Sequence, residues 1–153
     1  MRARYETDLA FRVAGRVQTR QVEVGAEVKA GQVIATLDPN DYALAASAAR
    51  AQLAAADAEA RLAQQDLQRF TELRAQNFIA QAELDRRHTT ADAAQARVRQ
   101  LRAEAARQGN QQAYTRLTVP HAGVVTALSF EAGQVVAAGQ PVAQLARTGE
   151  REV

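Results

Sequence analysis

Two histidines, one lysine and scattered carboxylates are all that this 153-residue sequence offers for proton transfer, nucleophilic attack or metal binding. His88 and His121 stand far apart, and neither has a carboxylate pattern beside it. That is a poor start for a metal site, which needs three or four converging ligands. Cysteine is absent, so disulfides, zinc–thiolate sites and thiol nucleophiles are excluded. Met1 is the only methionine, which argues against soft-metal handling. Asp57, Glu59, Asp66 and Glu104 are spaced as solvated helix faces or as partners of arginines one turn away. No nucleophile sits with a base, and no glycine loop is built to cradle phosphate. The residues thus predict no catalysis, no cofactor and no metal.

Length and charge narrow the class further. The formal net charge is +2, from 19 basic and 17 acidic residues. The charges are dispersed, whereas a nucleic-acid surface needs clustered Lys and Arg. No apolar run reaches the roughly 20 residues of a membrane span, and Met1 to Asp8 lack the apolar segment of a signal peptide.

The strongest organising signal is a split internal repeat. Residues 14–37 and 122–145, offset by 108 without a gap, share Ala14/Ala122, Gly15/Gly123, Val17/Val125, Glu23/Glu131, Gly25/Gly133, Val28/Val136, Gly31/Gly139, Gln32/Gln140 and Leu37/Leu145. Each copy holds short apolar runs punctuated by glycine, the pattern of short strands joined by tight turns. Gly25, Gly31, Gly133 and Gly139 are the expected structural turns, where a positive φ favours glycine. One copy alone has too few strands to be stable. The two are therefore expected to come together, each as one layer of a small sandwich or flattened barrel.

About 75 Ala-rich residues separate the copies. Asp38-Pro39-Asn40-Asp41 ends the strand, with Asn40 or Asp41 as the expected helix cap. A first helix is predicted over about 41–76, a tip over 77–80 and a second helix over about 81–109. Leu44, Ala48, Ala51, Ala55, Ala58 and Leu62 have coiled-coil spacing. A neighbouring stripe, Leu53, Ala56, Ala60, Ala63, Leu67 and Phe70, implies a contact face that shifts register. Leu84, Ala91, Ala94, Val98, Leu101 and Ala105 form the second helix's seam, with His88 on or near it. Two such helices with a short connection make an antiparallel hairpin.

These features together resemble the periplasmic adaptors, or membrane fusion proteins, of tripartite efflux pumps. FRVAGRV and VEVGAEVKAGQVIATLDPNDY look like the first lipoyl-like half-motif and the start of the hairpin; YTRLTVPHAGVV and GQVVAAGQPVAQL look like the second half-motif. The resemblance implies an α+β fold, a split lipoyl-like β-sandwich with an inserted α-helical coiled-coil hairpin. Its halves would be 9–38 and 114–147, the hairpin 39–113. Segments 1–8 and 148–153 would be stubs toward missing domains, with Thr148 to Val153 starting a return strand. It further implies a periplasmic protein anchored in the inner membrane, commonly six copies to a ring. Such a ring links an inner-membrane transporter, of RND type, to a TolC-like outer-membrane channel. An adaptor for an ABC- or major-facilitator-type exporter, or for type I secretion, shares the same base and hairpin.

At the tip, adaptors of RND-type pumps carry Arg, Leu four residues on and Ser seven further. Arg69 and Leu73 match this pattern, while Ala80 stands where serine is usual, and Ala122 stands where aspartate often precedes the glycine. The resemblance makes Arg69, Leu73, Phe78, Ile79 and Ala80 the partner-binding tip. Phe78 and Ile79 either cap the seam between the helices or join the docking surface. The rival from another class is a lipoyl or biotinyl carrier, whose modified lysine lies at the turn between its halves. Here the hairpin replaces that turn, and Lys29 lies within the first half.

Overall fold

The computed structural model describes residues 5–147 as eight strands and two helices. β1 (Glu6–Ala10), β2 (Gly15–Arg20), β3 (Glu27–Val28) and β4 (Val33–Leu37) precede α1 (Asn40–Ala75) and α2 (Gln81–Ala113). β5 (Arg116–Thr118), β6 (Gly123–Leu128), β7 (Val135–Val136) and β8 (Pro141–Arg147) follow. Thr148 to Val153, read from sequence as a return strand, lie outside the described residues. The chain divides into two compact units, a β unit of residues 1–42 and 110–153 and a helical unit of residues 43–109.

The β unit holds two four-stranded sheets, ordered β1-β8-β6-β3 and β5-β4-β2-β7. Here the expectation of one layer per repeat copy is corrected, because each sheet takes strands from both copies. β3 of the first copy pairs with β6 of the second, and β7 of the second pairs with β2 of the first. The exchange is symmetric: Val28 faces Gly123 as Val136 faces Gly15. The glycine turns reinforce it. Gly25 donates its N–H to the Val125 carbonyl and Gly133 to that of Val17, both at 2.7 Å. Gly31 donates to Val119 and Gly139 to Phe11 in the same way. All four turn amides thus find their acceptors in the opposite half of the β unit, so the turns tie the two halves together.

These four glycines have φ between 76° and 92°, the region that glycine enters without a Cβ penalty. In three of the turns the next residue is glutamine, whose Oε1 accepts the N–H of the turn's first residue: Gln32 from Lys29, Gln134 from Glu131 and Gln140 from Ala137. The remaining turn has Ala26 there. The repeat also begins earlier than its sequence identity suggests. β1 starts at Glu6, inside the segment read as a leading stub, and pairs along the outer edge of β8 as β5 pairs with β4. Leu9 and Leu117 occupy equivalent buried places. Phe11, Val17, Ile34 and Leu37 of the first copy close one core with Val119, Val125, Val142 and Leu145 of the second.

α1 and α2 pack antiparallel. Leu67 and Phe70, late in α1, cluster with Leu84 and Ala91, early in α2, while Ala56 and Ala60 cluster with Val98. The heptad series Ala46, Ala49, Leu53, Ala56, Ala60, Ala63, Leu67, Phe70 is the buried or half-buried seam throughout. The expected register shift does not occur. The Leu44-to-Leu62 stripe lies on the outer face instead, with Leu44 68% and Leu62 59% exposed. The larger side chains decide this, since Leu53, Leu67 and Phe70 bury more area against α2 than a rank of alanines would.

Three local expectations also change. Asp38, rather than Asn40 or Asp41, accepts the first free helical amide, from Asn40 at 3.0 Å. α2 continues through Gly109 to Ala113. Glycine costs about 1 kcal/mol against alanine in a helix, and the following Gln111, Gln112 and Ala113 are better helix formers. Thr115 then closes the end by bonding the Gln112 carbonyl with both N–H and Oγ1. His88 is exposed on α2 and lies off the seam.

Candidate docking tip of the hairpin

The tip is built by two helix ends. α1 finishes in a Schellman arrangement: Phe78 donates to the Leu73 carbonyl and Asn77 to that of Arg74, both at 3.0 Å. Asn77 takes the left-handed position with φ 60°, which asparagine tolerates better than most residues. Arg74 straps the connection from the side, its Nη1 donating to Asn77 Oδ1 at 3.1 Å and its Nε to Gln81 Oε1 at 3.2 Å. Gln81 in turn donates to Asp85. α2 starts directly after Ala80, whose carbonyl accepts the N–H of Glu83 and of Leu84.

The sequence-derived tip residues fall into different environments. Arg69 is 65% exposed and pairs with Asp66 at 3.5 Å, a surface ion pair of small energetic weight. Leu73, one turn on, is half-buried at the flank of the seam. Of the two readings left open for Phe78 and Ile79, each residue takes one. Ile79 packs on the Leu67–Leu84–Ala91 cluster and caps the seam, while Phe78 is 71% exposed. Ala80 is exposed at the N-cap of α2. Phe78 is thus an exposed apolar side chain at the end of the hairpin, where Arg74 braces the turn that carries it.

Sequence reasoning passed over Arg74, Gln81 and Arg87, and named Asn77 only as the first residue of the tip. An Asn just beyond a periodic run is a helix stop signal, and Arg87 falls at the heptad position after Leu84, so both were findable. Arg87 lies with its guanidinium 4.2 Å from the centre of the Phe70 ring and donates to Glu83 Oε1 at 3.2 Å. Glu83 also accepts from Arg86.

Other titratable groups are engaged locally. His121 meets Thr7 Oγ1 at 3.2 Å and the Ala122 carbonyl at 3.1 Å. Lys29 is exposed in the turn before Gly31. Glu104 is held down to about 2 by hydrogen bonds from Arg107 and Gln108, a helix-face pairing with no reacting partner. Among the described residues, no group of three or more His, Asp or Glu could hold a metal. No helix among them is long and apolar enough to cross a membrane.

Two exchanged sheets with a helical pair inserted between their halves define a barrel-sandwich hybrid. The chain belongs to the family described as "RND MFP, barrel-sandwich hybrid domain", which it matches over residues 6–148. It is similar to the multidrug resistance protein MdtA of Escherichia coli O45:K1, 28% identical over 128 residues, or 84% of this chain and 31% of MdtA. The chain thus spans about a third of the length of the curated relatives that it matches. A putative efflux transporter from Bacteroides eggerthii shares 27% identity at a TM-score of 0.65, over 95% of this chain and 40% of that one. ZneB from Cupriavidus metallidurans has the same fold, with a TM-score of 0.68 at 24% identity, over 94% of this chain and 61% of ZneB.

Proposed function

We propose that this chain is the lipoyl-like base and hairpin of a non-enzymatic periplasmic adaptor, part of a tripartite efflux pump. In this reading the full protein is anchored in the inner membrane. It assembles as a ring, commonly of six, with an RND-type transporter below and a TolC-like outer-membrane channel above. The hairpin tip makes the channel contact: Phe78 and Leu73 give apolar surface, and Arg69 bonds carbonyls or acids at the channel's helix ends. Ile79 supports the tip from inside the seam and Ala80 lies at its rim. Binding promotes opening only so far as the tip prefers the open channel, because a partner shifts an equilibrium through differential affinity alone.

The observation that carries this reading is family membership over nearly the whole chain, supported by an exposed aromatic at the end of a hairpin whose seam is otherwise closed. The test is crosslinking of the intact chain to detergent-solubilised TolC-like channel from the same organism. Wild type should crosslink through residues 69–80, and Arg69→Glu and Phe78→Ser should lose the crosslink while keeping their helical circular dichroism. No crosslink from folded wild-type protein would refute the assignment and favour an exporter with a different outer-membrane route.

A further inference from the structure

α2 carries its seam at Leu84, Arg87, Ala91, Ala94, Val98, Leu101 and Ala105, and Arg87 is the only charge on it. Its side chain is 35% exposed, with the guanidinium over Phe70 and Nη2 on Glu83. Its Nε is buried and has no hydrogen-bond partner. A buried donor without an acceptor costs stability, and a charge at a core heptad position costs more. Leucine at 87 would pair the helices better. An unpaired buried donor at a seam position where leucine would pack better points to control of geometry, the best-attested use of a polar seam residue.

The rest of the seam leaves that control wanting. Five of the eight α1 seam residues are alanine, and small, similar knobs hold helices close but discriminate weakly between neighbouring rotations. Asn77 fixes where α1 stops, yet rotation of α1 about its own axis is left to side chains. Phe70 is the largest of those on α1's seam. It directly follows Arg69 and lies one turn before Leu73, so its seat under Arg87 sets where both of them point.

We propose that Arg87 is a positioning residue: by clamping Phe70 from the facing helix, it sets the rotation of the last two turns of α1 and so the orientation of Arg69 and Leu73. This rests on the docking role proposed for the tip. The cysteine-free chain allows spin labels at Gln68→Cys and Ala93→Cys, both exposed positions, with distances read by pulsed electron paramagnetic resonance. Wild type should give one narrow population. Arg87→Leu should melt at or above the wild-type temperature yet spread into several distances, and its crosslinking to the channel should fall about tenfold. Arg87→Lys, which keeps the charge but loses the flat stacking surface, should spread likewise. A narrow distribution in Arg87→Leu overturns the proposal, whatever the crosslinking does. So does a lowered melting temperature, which would mark Arg87 as an ordinary stabilising contact. Failure of the docking role itself would appear in wild type as no crosslink, while the distance measurement needs no partner.

Discussion

Replacing Ala80 with serine adds one hydroxyl at the N-cap of α2, where the helix's first amides have no side-chain acceptor from this residue. Ala80 already supplies the backbone half of a cap, its carbonyl accepting from Glu83 at 3.1 Å and Leu84 at 3.4 Å. A serine Oγ here would reach the N–H of Ala82 or Glu83, and Ser-Gln-Ala-Glu would complete the S-x-x-E capping box. A serine cap is worth about 1 kcal/mol over alanine. Glu83 is already held by Arg86 and Arg87, so its reciprocal bond to residue 80 should add little. The expected gain is therefore about 1 kcal/mol, or roughly fivefold slower amide exchange at Ala82 and Glu83 if the tip opens locally. Hydrogen exchange by NMR on Ala80→Ser reads this directly, and Ala80→Val, which has no acceptor, should show no gain. Equal protection in the two variants, or faster exchange in Ala80→Ser, would refute the cap geometry. A serine at this position would thus stabilise the tip without any partner, and Ala80→Ser should leave the proposed channel crosslink intact.

Three further substitutions test the β unit. Gly15 and Gly123 are repeat mates with different surroundings: a Cβ on Gly123 would run into the Ala146 backbone carbonyl and approach Leu145 Cγ at 3.0 Å, whereas on Gly15 it meets only the Leu37 side chain, at 3.3 Å. Gly123→Ala should cost about 3 kcal/mol and Gly15→Ala about 1 or less. Denaturant midpoints measure both, and equal costs would show that β6 and β8 are not so closely apposed. Ala26→Gln should supply the side-chain bond that the other three glycine turns possess and raise stability by about 1 kcal/mol. A lowered melting temperature would show that Ala26, half-buried against the core, has no room for the longer side chain.

Local physics made much of this protein legible in one dimension. Glycine at a fixed interval announced turns with positive φ, because only glycine takes that conformation without penalty. An Ala-, Leu-, Gln- and Arg-rich run without Pro or Gly announced the helices. Absence of cysteine and the isolation of the two histidines removed whole classes of chemistry. At the tip, Arg69, Leu73 and Ala80 became candidates only through the resemblance to the adaptors' tip pattern, and Phe78 and Ile79 as an apolar pair in a loop.

What pairs with what was settled only in three dimensions. A repeat shows that two segments are alike, but nothing local says whether each forms its own sheet or lends its short strands to the other. Here β3 and β7 cross to the opposite copy, and the four turn amides bond to carbonyls there. Two stripes on α1 suggested a contact face that shifts register, but the larger side chains of one, meeting Val98, Leu101 and Leu84, keep that stripe buried throughout. Ile79 and Phe78 are neighbours of similar character, yet the Asn77 turn sends one into the seam and leaves the other exposed. Arg87 stands at a seam position of α2 in the sequence, but only the fold shows that α1 brings Phe70 under it. Each of these outcomes depends on residues far apart in the chain, whose proximity arises only when the whole is folded.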